Sequence, residues 1–271
     1  MLTRRRIRSL SITLVAVAVT ASGLDWTSRQ LGDESTFSGI VLLLSTASLY
    51  LLTIRKKWVN RKLGPVSAWL QMHVYAGIFT SVVFLMHIGW PIRGPFELCL
   101  AGCFCFVALS GIVLAVMSRL TPGRLAALKT DNSLERIPAL QVALAEDAHR
   151  LAIGSTRQGE GATLSEYYQR RLLPFFQSQR SWGYLLLPTG NKRRRLLREL
   201  EELDRYLSTN TVDYRRQLSS MVQSKDDLDY QSALQYRLRV FFAAHFALTW
   251  TLVILVAVHV TLVVRFSGAL L

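Results

Sequence analysis

Cysteine and acidic residues are both scarce in this chain of 271 residues. The three cysteines (Cys99, Cys103 and Cys105) lie in one apolar run, so they provide no disulfide framework. Asp and Glu total 18 against 32 Lys and Arg, which gives a net charge of +14. No Gly-x-Gly-x-x-Gly motif follows a strand pattern, so we do not expect the chain to bind a nicotinamide or flavin nucleotide and accept hydride by itself.

Long apolar runs are abundant instead. Hydrophobic residues make up 51% of the chain, and the mean hydropathy is +0.26 despite the high charge. A nucleic-acid-binding protein would share the charge but not the apolar runs, so we expect an all-α integral membrane protein with no nucleic-acid partner. A membrane-spanning helix needs about 20 mostly apolar residues. Five runs qualify: Ile7–Leu24, Phe37–Ile54, Val66–Ile92, Phe96–Met117 and Val240–Val264.

The first run has two interpretations. It follows a basic start, MLTRRRIR, and ends in VTASG, which is also the pattern of a secretory signal. A signal followed by four spans is therefore the alternative to five retained spans. We favour a retained first helix, because its apolar stretch is long for a signal and because the charge pattern of the loops works with it in place.

Basic residues alternate from loop to loop in a way that predicts the topology. Lys and Arg are frequent before the first run, between the second and third runs, and at both ends of the middle segment, whereas the other two loops contain one Arg each. Loops rich in Lys and Arg stay in the cytoplasm. We therefore expect a cytoplasmic N-terminus, a cytoplasmic middle segment and a C-terminus outside, in a bacterial inner membrane.

The chain divides into four predicted parts. Residues 1–63 contain the first two spans and a basic cytoplasmic loop, residues 64–119 contain the third and fourth spans, and residues 239–271 contain the fifth. In residues 120–238, apolar positions recur at helical spacing among charges, as in NKRRRLLRELEELDRYL. We expect this segment to be a helical cytoplasmic insertion, which is either a docking surface for a partner or a structural cap.

Four of the five histidines lie in apolar runs. His149 is the exception, on a polar helix, and we interpret it as an ordinary surface residue. His73 and His87 are 14 residues apart in the third span (87 − 73), and so are His245 and His259 in the fifth (259 − 245). At about 100° and 1.5 Å per residue, the members of each pair lie on one helix face, about 21 Å apart along the axis.

The predicted topology makes the third and fifth spans parallel. Packed side by side, they bring His73 level with His245 near the cytoplasmic face and His87 level with His259 near the outer face. Unpaired imidazoles are costly in lipid, and neutral imidazole is a good ligand for haem iron. The sequence therefore predicts two bis-histidyl haem sites at two depths, with the four histidines as axial ligands.

Glycines near these histidines are further candidates for haem contact. Gly77 lies on the His73–His87 stripe, and Gly102 and Gly111 lie in the fourth span. A glycine lets a flat macrocycle approach the backbone, but small residues also permit ordinary contact between helices. Both interpretations stay open, and we interpret the neighbouring cysteines as small apolar residues.

The sequence around the histidines resembles a known family. RVFFAAHFALTWTLVILVAVHV and HVYAGIFTSVVFLMHIGW are similar to the two ligand-bearing helices of the cytochrome b subunit of respiratory quinol–cytochrome c reductases. The resemblance covers the last four spans at most. It implies a four-helix haem core in which His73, His87, His245 and His259 ligate two non-covalent b haems. Ferric-reductase-like and NADPH-oxidase-like membrane domains have a similar ligand arrangement.

Two departures limit what the resemblance implies. The quinol-oxidising PEWY motif is absent, and the segment between the fourth and fifth spans is longer and is predicted to be cytoplasmic rather than outside. The resemblance thus implies haem ligation and electron transfer across the membrane, but no quinol-oxidation site.

We expect an electron-transfer subunit that works with redox partner proteins, with quinone as a further candidate partner. Basic residues near the membrane faces would pair with haem propionates or with anionic lipid headgroups; these are Arg93, Arg237 and Arg239. One alternative is a self-contained oxidoreductase for quinone or a ferric chelate. Another is a haem-free membrane scaffold or transporter whose histidines bind metal or shuttle protons.

Overall fold

The computed structural model describes residues 2–53, 64–89, 91–92, 94–128, 133–156, 162–207 and 209–266. Within these ranges all regular secondary structure is helical. The chain forms two compact units, the first made of Met1–Ala115 with Ala243–Leu271 and the second of Val116–Phe242. The predicted middle segment, 120–238, falls inside the second unit. The predicted basic loop at 55–63 and Arg93 lie outside the described residues.

Five helices are long and apolar enough to cross a membrane. Only 6% to 17% of the apolar stretch of each is buried inside the protein, so most of the apolar surface is available to lipid. The first four are α1 (Leu2–Arg29), α2 (Glu34–Leu49), α3 (Val66–His87) and α4 (Pro95–Ala126). The fifth belongs to a long C-terminal helix, Thr209–Phe266.

Two helix ends differ from the apolar runs for local reasons. The third run extends to Ile92, but α3 ends at His87, because Ile88 is extended (φ −73°, ψ 118°) and is followed by Gly89 and Pro91. The fifth run begins at Val240, but its helix begins at Thr209. The added turns are rich in charged residues, so hydropathy alone does not detect them.

Helices α1, α2 and α3 pack against one another. Gln71 of α3 donates from Nε2 to Ser9 Oγ of α1 at 2.8 Å. The Phe84 ring of α3 stacks on Phe104 of α4, with ring centroids 4.1 Å apart. These contacts join the first four helices of the first unit.

The second unit consists of shorter helices around an apolar core. After α4 come α5 (Ile137–Thr156), α6 (Ala162–Tyr167), a π-helical turn (Tyr168–Leu172), α7 (Leu173–Gln177), α8 (Trp182–Leu186), α9 (Asn191–Glu202), a 3₁₀ turn (Leu203–Tyr206) and α10 (Thr209–Phe266). Their apolar faces meet at a buried cluster: Ala148, Ala152, Leu164, Tyr168, Leu172, Phe175, Phe176, Leu196, Leu200, Leu218 and Val222. The helical spacing in the sequence predicts such a face on α9, where Leu196 and Leu200 are four residues apart.

A group of buried charges also lies in the second unit. Asp229 of α10 accepts hydrogen bonds from Lys225 Nζ, from Arg180 Nε at 2.6 Å and from Gln141 Nε2 at 2.8 Å. Lys225 and Asp229 are only 2% and 3% exposed. The guanidinium of Arg180 also lies over the Tyr184 ring, 4.5 Å from its centroid. Charges buried this deeply require partners, and each of these has at least one.

Candidate functional site

The four histidines of the spans are partly buried inside the first unit, two on α3 and two on α10. His73 lies close enough to His245, and His87 close enough to His259, for each pair to interact electrostatically. The structure therefore brings together the same two pairs that the 14-residue spacing and the predicted parallel topology indicate. Ligation of haem by these pairs stays a prediction.

The side chain of His73 is fixed by the end of α2. Its Nδ1 lies 3.1 Å from the backbone oxygen of Leu49. That oxygen is available because α2 breaks at Tyr50: the Thr53 N–H bonds to the Tyr50 oxygen instead of continuing the helix through Leu49. A carbonyl oxygen only accepts, so Nδ1 of His73 carries the proton, and the lone pair of the neutral ring lies on Nε2.

The side chain of His87 is fixed by the start of α2, the helix whose end contacts His73. Its Nδ1 lies 2.9 Å from the hydroxyl oxygen of Ser38, which is only 2% exposed. The Ser38 hydroxyl also has two backbone acceptors in its own helix, the Glu34 oxygen at 2.8 Å and the Ser35 oxygen at 3.1 Å, to which its single hydrogen is donated. Its oxygen is then left to accept from the imidazole, so Nδ1 of His87 is also the protonated nitrogen.

His245 is arranged in the same way against α4. Its Nδ1 lies 2.8 Å from Ser110 Oγ, and the Ser110 hydroxyl donates to the Val107 carbonyl oxygen at 2.9 Å. The His245 ring is also hydrogen-bonded to the backbone of Val107. With the hydroxyl hydrogen of Ser110 on the Val107 oxygen, the Ser110 oxygen accepts from Nδ1–H, and the lone pair of His245 then lies on Nε2.

His259 has an aromatic neighbour on α4. The Phe96 ring lies nearly parallel to the imidazole, with centroids 6.4 Å apart and an interplanar angle of 19°. Helix α4 therefore contacts both histidines of α10, through Phe96 and Ser110, just as α2 contacts both histidines of α3. Each of the two histidine-bearing helices thus has one neighbouring helix that contacts both of its rings.

This arrangement suits metal ligation through Nε2. Histidines that bind metals generally donate their other ring N–H to a carbonyl or another acceptor, which fixes the tautomer and raises the basicity of the ligating nitrogen. Three of the four histidines meet this condition by the contacts described above. Each pair offers two imidazoles, a donor set that would suit a bis-histidyl haem.

The three predicted glycines differ in their surroundings. A Cβ added at Gly111 would lie 3.4 Å from Cε1 of His245, so this glycine lies directly against the imidazole. A Cβ at Gly77 or at Gly102 would have no heavy atom of the described chain within 4 Å. These two glycines therefore do not serve close contact between described helices, and their predicted contact with a macrocycle stays a prediction.

Three residues that contact the histidines were not identified from the sequence, because the histidine spacing gives no information about them. They are Ser38, Gly39 and Ser110. A Cβ at Gly39 would lie 3.2 Å from Cε1 of His87, which matches the position of Gly111 beside His245. A sequence signal for these residues does exist. The pentapeptide Ser-Gly-Ile-Val-Leu occurs at 38–42 and again at 110–114.

The remaining candidates make other contacts. Cys103 Sγ lies 3.8 Å from the Leu248 oxygen, and the described residues contain no group of three or more His, Cys, Asp or Glu side chains that could hold a metal ion. Arg237 donates from Nη1 to the Leu186 oxygen at 3.1 Å, and Arg239 lies 3.5 Å from Glu135. Both arginines therefore have acceptors in the second unit.

Comparison with known proteins gives no relative: no protein-family model, no curated protein and no solved structure matches this chain. The resemblance to cytochrome b thus consists of the histidine spacing and the short motifs around it. Membership of that family stays a prediction.

Proposed function

We propose that this chain is a b-type membrane cytochrome that carries electrons across a membrane through two bis-histidyl haems, as a subunit of a redox complex. The observation that carries the proposal is the paired arrangement of four imidazoles, three of which have Nδ1 engaged as a donor. Such rings present the Nε2 lone pair, the atom that ligates iron.

Each pair would bind one haem. His73 and His245 would ligate the haem near the cytoplasmic face, and His87 and His259 the haem near the outer face. The 14-residue separation within each helix corresponds to about 21 Å along the axis, which is most of the roughly 30 Å hydrocarbon thickness. Electrons would therefore cross most of the membrane between two sites on the same pair of helices.

The protein contributes ligands, orientation and exclusion of water. Haem held by these histidines would supply reversible one-electron transfer. The Leu49 carbonyl and the hydroxyls of Ser38 and Ser110 keep three of the rings in the tautomer that ligation requires. The apolar helices around them keep the site at low dielectric, which favours the neutral imidazole.

Paired histidines favour haem over a bare metal ion. A zinc ion takes about four protein ligands, whereas each pair here offers two imidazoles, and the described residues contain no larger group of potential ligands. Since the sequence has no nicotinamide or flavin motif, electrons would come from and go to partner subunits, with quinone as a further candidate. The N-terminus and the second unit would face the cytoplasm of a bacterial cell.

Single substitutions test the proposal. The full chain, and variants with each of the four histidines changed to Ala, are purified and their haem content is measured. His73→Ala and His245→Ala should lose the same haem, and His87→Ala and His259→Ala should lose the other. His149→Ala, in the second unit, is the matched control and should retain both. Full haem content in all four variants, or no haem in the unsubstituted chain, would overturn the proposal.

A further inference from the structure

The repeated pentapeptide Ser-Gly-Ile-Val-Leu lies on two different helices. Its first copy, 38–42, is near the start of α2, and its second copy, 110–114, is in the middle of α4. Each copy faces a different histidine on a different helix, His87 on α3 and His245 on α10. The two copies therefore contact one predicted ligand of each haem.

The serines of the two copies make the same hydrogen bonds. Ser38 Oγ and Ser110 Oγ lie 2.9 Å and 2.8 Å from Nδ1 of their histidines. Each serine also donates its hydrogen to a carbonyl oxygen of its own helix, at 2.8 Å for Ser38 and 2.9 Å for Ser110. The hydroxyl hydrogen is thereby directed away from the imidazole, and each serine acts as an acceptor for the ring N–H.

The glycines of the two copies make the same close approach. A Cβ at Gly39 would lie 3.2 Å from Cε1 of His87, and a Cβ at Gly111 would lie 3.4 Å from Cε1 of His245. An alanine at position 39 would press on the edge of the His87 ring, and an alanine at position 111 would bring its Cβ into van der Waals contact with the His245 ring. In each copy the serine hydrogen-bonds to Nδ1 of the imidazole, and the glycine next to it lies against the adjacent Cε1.

We propose that Ser38-Gly39 and Ser110-Gly111 are two copies of one positioning device, each of which sets the tautomer and rotation of one axial ligand and thereby the redox potential of one haem. This inference rests on the proposed function. A hydrogen bond from Nδ1–H to an acceptor makes Nε2 a stronger donor. The stronger donor stabilises the oxidised iron, so each serine lowers the midpoint potential of its own haem.

Only one of the two predicted ligands of each haem contacts a Ser-Gly pair. In the predicted inner site, Ser110 acts on His245, while His73 is bound by the Leu49 backbone oxygen, which no side-chain substitution removes. In the predicted outer site, Ser38 acts on His87, while His259 stacks near Phe96. Each haem thus has one ligand that a serine substitution perturbs, so the two potentials can be changed separately.

Redox titration of the purified full chain tests this proposal, with each haem assigned from the variants His87→Ala and His245→Ala. Ser38→Ala should raise the midpoint potential of the haem ligated by His87 and leave the other unchanged. Ser110→Ala should do the reverse. Ser38→Thr and Ser110→Thr, which keep the hydroxyl, should restore the original values. Ser45→Ala, which removes a hydroxyl bonded to the Leu42 oxygen of the same α2 helix, is the control and should shift neither potential.

Glycine variants provide an independent readout. Gly39→Ala should alter the electron paramagnetic resonance signal of the outer haem, and Gly111→Ala that of the inner haem, because ligand rotation changes that signal. Gly123→Ala, where a Cβ meets no described heavy atom within 4 Å, should change neither. Unchanged potentials and signals in haem-loaded variants would overturn the positioning role alone. Absence of haem from the unsubstituted chain would overturn the proposed function together with it.

Discussion

Phe96 is the residue that contacts the fourth predicted ligand, His259. Its ring lies nearly parallel to the imidazole at a centroid distance of 6.4 Å, and an aromatic contact of this kind contributes about 0.5–1.5 kcal/mol. We expect Phe96→Ala to weaken retention of the outer haem by about 2- to 10-fold, measured as haem loss to an external apoprotein acceptor. Phe106→Ala, at an exposed ring of the same helix, should retain haem normally. Equal loss from both variants would contradict a role for the stacking contact.

Asp229 is a buried carboxylate that pairs with two cations in the second unit, Lys225 and Arg180. Its hydrogen bonds with Lys225 and Arg180 are shielded from water. Removal of its charge leaves the buried Lys225 poorly compensated, whereas Arg180 keeps its ion pair with Asp226 at 2.6 Å. We expect Asp229→Asn to destabilise the second unit by about 3–5 kcal/mol, seen as faster hydrogen exchange of its core amides.

The control for this substitution is an exposed ion pair. Asp213 lies 3.5 Å from Arg216, and both side chains are about 70% exposed. Asp213→Asn should cost at most about 1 kcal/mol. Similar exchange rates in the two variants would show that the buried cluster contributes no more than a surface pair.

The sequence predicts which histidines pair with each other, but not which other side chains contact them. The 14-residue spacing and the parallel topology predicted from loop charges together pair His73 with His245, because helical geometry converts spacing directly into depth. It does not reveal Ser38 or Ser110, since these residues are 49 and 135 positions away from the histidines they contact. The identity of such partners depends on how the helices rotate about their axes, which apolar runs do not record.

At the scale of one element, α9 is attached to the π-helical turn by a carboxylate. Glu199 accepts hydrogen bonds from Arg171, Arg195 and Tyr167. The hydrogen bond from Arg171 is the largest cause that lowers the pKa of Glu199 from 4.5 to about 2. A carboxyl whose pKa is lower in the folded state stabilises that state above its unfolded pKa and loses this contribution as the pH falls.

The expected pH dependence follows from that sign. The unfolding temperature of the full chain should fall more steeply between pH 4.5 and about 2 than that of Glu199→Gln, which cannot titrate at this position. Glu201→Gln, at an exposed position of the same helix, should follow the profile of the unsubstituted chain. Parallel profiles for the unsubstituted chain and Glu199→Gln would contradict this role.

Helix existence was easier to predict than helix length. Each of the five apolar runs corresponds to a helix, because a run of this length has no other way to satisfy its backbone in lipid. The first 31 residues of α10 (209–239) precede the apolar run at Val240, and they are helical through packing in the second unit, where Leu218 and Val222 are fully buried. Tertiary contacts of this kind are not visible in local hydropathy.

At the scale of the whole molecule, the charge pattern predicts which side of the membrane each part faces. In chains whose native cysteines are replaced, a membrane-impermeant thiol reagent should label Gln30→Cys, between α1 and α2, in intact cells. It should label Asp213→Cys, in the second unit, only after the cells are opened. Labelling of Asp213→Cys in intact cells would place the second unit outside and contradict the predicted topology.

The proposed electron transfer requires that the chain binds haem. The most direct measurement is the reduced-minus-oxidised visible spectrum of the purified full chain, combined with a count of haem per polypeptide. We expect the absorbance bands of low-spin b-type haem and two haems per chain. A chain that is folded in detergent but shows no such bands would contradict the proposed function.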